Sequence, residues 1–123
     1  MQGKRVLVAD DNRFIRTLVK AALTTVGYEV TEAVDGEDAR AQLLADPPDV
    51  VLLDLVMPNM SGFDVLELFA AEGSPPPCPV MMLTTAARPA DVARAEELGA
   101  SDYLIKPFDK DELRQKVAAL LAG

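Results

Sequence analysis

The sequence predicts an α/β fold: a doubly wound three-layer sandwich in which a five-stranded parallel sheet of order 2-1-3-4-5 lies between two layers made by five helices. Three observations carry this prediction. Strand-like apolar runs alternate with helix-period segments along the whole chain. The runs are nearly continuous in apolar residues, as in parallel sheets covered on both faces. Three of them end in charge, at Asp10-Asp11, Asp54 and Lys106. Five βα units in 123 residues make one domain, assigned to 1–123, and leave no room for a second core.

The first strand is read at residues 4–9. Residues 12–26 follow with Phe14, Ile15, Leu18, Val19, Ala22, Leu23 and Val26 at helical spacing, ended by Gly27. Residues 28–33 are rich in β formers, and residues 35–45 make a helix that starts after the Asp35-Gly36 turn and halts at Asp46-Pro47-Pro48. Residues 49–54 form the most apolar strand and belong in the middle of the sheet. A loop through Pro58 and Gly62 leads to a helix at 63–72. The stiff Pro75 to Pro79 connector precedes a strand at 80–85, a helix at 90–98 stopped by Gly99, a fifth strand at 101–105 and a final helix at 110–121.

Composition narrows the function. Twelve basic residues against twenty acidic ones give a net charge of −8, which repels nucleic-acid phosphates and anionic membranes, so no direct nucleic-acid contact is expected. No apolar run approaches the roughly 20 residues that span a bilayer, and residues 1–5 lead straight into a strand, which predicts a cytoplasmic protein without membrane insertion. The chain has no histidine, which removes His-ligated zinc, His-based triads and a phosphohistidine of its own. Its one cysteine, Cys78, sits in a proline-rich loop and reads as incidental.

In an open parallel sheet the ligand site lies outside the carboxyl ends of the strands, so Asp10, Asp11, Asp54 and Lys106 should converge there. One aspartate after a strand is commonly a helix cap, and Asn12 could serve that purpose equally. Asp54 has no such ordinary explanation, because a carboxylate after four apolar residues of a central strand costs several kcal/mol unless hydrated or paired. Three clustered carboxylates repel, and at least one should resist ionising. A hard divalent cation such as Mg²⁺, which uses one or two carboxylates and bridges to phosphate, offsets that repulsion. Lys106 then offers a point charge suited to a phosphoryl oxygen. Thr84, at the end of the fourth strand, and Tyr103, on the fifth, have ordinary packing explanations when taken singly. A cis peptide before Pro107 would aim Lys106.

These residues resemble the receiver domain of two-component response regulators, with a stand-alone chemotaxis-regulator-like extent. The resemblance runs from Lys4 to Leu121 and rests on Asp10-Asp11, on Asp54-Leu55-Val56-Met57-Pro58-Asn59-Met60-Ser61-Gly62, on Thr84, and on the stretch from Gly99 through Tyr103 and Lys106 to Pro107-Phe108. It implies a phosphoacceptor signalling domain and not a conventional enzyme, one that catalyses only its own phosphorylation and dephosphorylation. Asp54 would receive a phosphoryl group from a partner histidine kinase or histidine phosphotransfer protein. Asp10, Asp11, Asp54 and the backbone carbonyl of Val56 would hold Mg²⁺. Lys106 would hold phosphoryl oxygens, while Thr84 and Tyr103 would switch the surface of the fourth helix, fifth strand and fifth helix toward a downstream protein.

Two rival readings differ from this one in specific features. An Mg²⁺-dependent phosphohydrolase with an aspartyl nucleophile would be expected to carry a second acid two residues after Asp54, where this chain has Val56. A degenerate receiver used only for contact would not keep every charged site residue.

Overall fold

The computed structural model describes residues 3–85 and 88–122. The strands are β1 (Arg5–Ala9), β2 (Glu29–Ala33), β3 (Val50–Asp54), β4 (Val80–Thr84) and β5 (Asp102–Ile105); the helices are α1 (Arg13–Thr24), α2 (Gly36–Ala45), α3 (Gly62–Ala71), α4 (Pro89–Glu97) and α5 (Lys110–Ala122). All strand pairs are parallel and the order is β2-β1-β3-β4-β5, as the sequence predicts.

Side chains alternate across the sheet, so each strand feeds two cores. Val6, Val8, Val50, Leu52, Met81, Leu83 and Leu104 face α1 and α5, where Val19, Leu23, Leu113 and Val117 are buried against them. Leu7, Ala9, Val51, Leu53, Val80 and Met82 face the opposite layer and meet Ala39, Leu43, Val65, Leu66, Phe69 and Ala95 from α2, α3 and α4. β3 and β4 are buried along their whole length, whereas β2 at the edge alternates between exposed and covered positions.

Element ends follow from local hydrogen bonding. α1 starts after Asn12, whose carboxamide oxygen accepts the Phe14 and Ile15 amides at 2.8 and 3.4 Å; neither Asp10 nor Asp11 is its cap. It ends at Thr24, two residues short of the predicted limit, because the chain turns through Gly27 at φ +97°. β3 starts at Val50 because the Asp49 carboxylate accepts the Arg5 amide at 2.7 Å. Ser61 and Asp64 form a reciprocal capping box on α3. That helix begins at Gly62, where a Cβ would overlap the carbonyl oxygen of Asp54.

Candidate functional site

Parallel register places the chemistry at one edge of the sheet. Ala9 pairs with Leu53, Asp54 with Leu83, and Thr84 with Ile105, so Asp10, Asp54, Thr84 and Lys106 emerge at the same level from four successive positions. Carboxylate oxygens of Asp10, Asp11 and Asp54 all lie within 4.8 Å of one another. Asp10 is fully buried, Asp54 is 6% exposed, and Asp11 stands in solvent.

Lys106 joins the two buried acids. Its Nζ lies 2.6 Å from Asp10 Oδ2 and 3.4 Å from Asp54 Oδ2. Asp10 is braced further, since its Oδ1 accepts the Asn12 amide at 2.8 Å and its carbonyl accepts from the Arg16 guanidinium at 2.7 Å. Arg16 is itself held by Glu32 at 3.0 Å. A buried carboxylate with this many partners is locked in place, which suits a ligand whose position must not drift.

Asp54 is held differently. Burial pushes its pKa up from 3.8 to about 6, the negative charge of Asp10 adds to the rise, and Lys106 and the Val56 amide, 3.3 Å from Oδ1, only partly counter it. Burial is the larger cause of this rise, and repulsion within the cluster adds to it through Asp10. With one ammonium among three carboxylates, an excess of two negative charges remains. The donors are all hard oxygens, so the residues present fit a cation of the Mg²⁺ type.

Thr84 is buried at the end of β4, and its carbonyl accepts the Lys106 amide at 2.6 Å. The Lys106–Pro107 peptide is cis. Tyr103 is not part of the lining of the cleft over Asp54. It lines a cavity between α4 and the sheet together with Leu55, Met82, Thr84, Val92 and Ala95, so the two residues singled out as a switch border one space. Lys116 lies 5.5 Å from the Tyr103 ring centre and pairs with Asp102 at 3.3 Å.

The cleft over Asp54 is also lined by Asp11, Val56, Thr84 and Lys106, all read from the sequence, by Thr85 next to Thr84, and by Phe63, Arg88 and Asp91, which sequence reasoning missed. A signal for Arg88 was present: Pro89 is a favoured first helical residue, which puts Arg88 on the rim where α4 leaves the sheet. Cys78 is half-buried, and burial followed by the charge of Asp49 pushes its thiol up to about 11, which makes it a poor nucleophile. Among the described residues, no helix is long and apolar enough to cross a membrane.

Comparison with known proteins gives the family and the fold. Residues 6–118 match the family model of the response regulator receiver domain. A probable transcriptional regulator, ycf27 of Porphyridium aerugineum, is 36% identical over 98% of this chain and 49% of its own length. The DNA-binding dual master transcriptional regulator RpaA of Synechocystis is 38% identical over 95% of this chain and 48% of its own. The chain thus spans about half the length of the curated relatives it matches. Among solved structures, chemotaxis protein CheY4 of Vibrio cholerae superposes with a TM-score of 0.87 at 33% identity, covering 96% of this chain and 98% of that one. The receiver domain of the Francisella response regulator 1452 gives 0.88 at 30% identity, over 98% of each chain. The chain belongs to the response regulator receiver domain family.

Proposed function

We propose that this chain takes a phosphoryl group onto Asp54 from the phosphohistidine of a partner histidine kinase or histidine phosphotransfer protein, and that the modified domain binds a downstream protein through α4, β5 and α5. The observation that carries the reading is the pair of buried carboxylates, Asp10 and Asp54, bridged by one lysine with Asp11 beside them.

In the transfer, an ionised Asp54 oxygen attacks the phosphorus, the P–N bond breaks, and its electron pair returns to the partner's imidazole. The product is an acyl phosphate. A pKa of about 6 leaves Asp54 ionised at neutral pH, while its partial desolvation keeps the carboxylate basic. Asp10, Asp11, Asp54 and the Val56 carbonyl would hold Mg²⁺, which supplies charge neutralisation for the phosphoryl oxygens. Lys106 adds a fixed positive charge there without further reorganisation, since it already sits over Asp54.

The signal follows from differential contact. A phosphoryl group on Asp54 favours the arrangement in which the Thr84 hydroxyl and Lys106 reach it, and the cavity shared by Thr84 and Tyr103 gives that change a route to the outer face. With a net charge of −8, output through a protein surface is favoured over contact with nucleic acid.

Intact mass spectrometry after incubation with acetyl phosphate tests the assignment. One labile phosphoryl adduct should form with Mg²⁺, and none in EDTA or in Asp54→Asn. An adduct that persists in Asp54→Asn, or phosphate released catalytically from simple monoesters, rejects the assignment.

A further inference from the structure

α4 is weakly held from below. Of its nine residues only Ala95 is buried, and a cavity separates much of it from the sheet. Among the described residues, the Arg94 side chain ties it sideways. The Arg94 guanidinium lies 2.7 Å from Glu67 Oε1 and 4.8 Å from the centre of the Phe63 ring, and both partners stand one turn apart on α3. α3 is a firm anchor, because Val65, Leu66 and Phe69 are buried and the backbone of Gly62 packs on the carbonyl of Asp54. Phe63 also lines the cleft over Asp54.

We propose that Arg94 is a latch that holds α4 against α3 and biases the domain against its phosphorylated arrangement. This rests on the reading of Asp54 as phosphoacceptor. Three features support it. The latch joins the least buried helix to one of the most buried, so breaking it changes α4 far more than α3. Its two contacts are half-exposed and weak, which makes them releasable on binding. Finally, the ring under the guanidinium borders the site itself, so a group entering the cleft meets one half of the latch directly.

A ligand can shift the equilibrium only through contacts that differ between the two arrangements, and loss of the latch removes a contact made in this one. Arg94→Ala should therefore tighten the apparent affinity for beryllofluoride, measured calorimetrically with Mg²⁺ in excess, by about five-fold. Arg94→Lys keeps the charge without the planar stack and should fall between. Amide exchange in the metal-free protein supplies an independent arm: residues 89–97 should exchange faster in Arg94→Ala while residues 62–71 stay as they were. Unchanged or weaker beryllofluoride binding by Arg94→Ala overturns the latch, and so does unchanged exchange in α4. Failure of the wild-type chain to bind beryllofluoride removes the phosphoacceptor reading instead, and the exchange arm then decides whether Arg94 restrains α4.

Discussion

Replacing Asp54 by asparagine should stabilise the metal-free fold, and the gain should depend on pH in a calculable way. Burial and the charge of Asp10 raise the Asp54 pKa from 3.8 in the open chain to about 6 in the fold. Between those values the native state binds more protons than the unfolded state, so stability falls as pH rises through the window and levels off above it. At 1.36 kcal/mol per unit, the ionised carboxylate costs about 3 kcal/mol near pH 7.5, and about 1 kcal/mol near pH 4.5 where the native group is largely protonated. Asparagine has no charge to desolvate. It also loses the contact with Lys106 at 3.4 Å, whose pH-dependent part is already contained in the net rise of the Asp54 pKa. Urea unfolding of both proteins in EDTA should therefore show the advantage of Asp54→Asn shrinking by about 2 kcal/mol between pH 7.5 and pH 4.5. An advantage that is the same at both pH values, or that grows on acidification, refutes the reasoning.

Two further substitutions probe the frame of the site. Lys106→Met leaves Asp10 fully buried without its 2.6 Å partner, and an uncompensated buried charge should cost about 3 kcal/mol in urea unfolding; a loss below about 1 kcal/mol would mean that water replaces the lysine. Gly62→Ala puts a methyl group into the carbonyl oxygen of Asp54, so it should destabilise by about 2 kcal/mol and slow phosphorylation, whereas wild-type behaviour in both assays would show that α3 shifts freely.

Much of the site was legible because parallel strands impose a common edge. Once residues 4–9 and 49–54 were read as adjacent strands, Asp10 and Asp54 had to emerge side by side, and the register of Ala9 with Leu53 bears this out. The division of labour between the acids was not legible. Asp10 and Asp11 are adjacent in sequence, yet one is fully buried and braced by Asn12 and Arg16 while the other is exposed. That difference arises from where the chain leaves the sheet, not from residue type. The contacts of Arg16 with Glu32 and of Arg94 with Glu67 and Phe63 were equally hidden, since they depend on how separate elements cross. Element ends differed by one or two residues: α1 begins after Asn12, whose oxygen takes the Phe14 and Ile15 amides, and β3 begins after Asp49, whose carboxylate takes the Arg5 amide.

A structure of the chain with beryllofluoride and Mg²⁺ tests the central claim most directly. Beryllium should be bonded to a carboxylate oxygen of Asp54, with fluorines met by Lys106 Nζ and the Thr84 hydroxyl, and with Mg²⁺ held by Asp10, Asp11, Asp54 and the carbonyl of Val56. A mimic bound to any other residue, or one that sits on Asp54 with the cation held away from Asp10 and Asp11, would contradict the account.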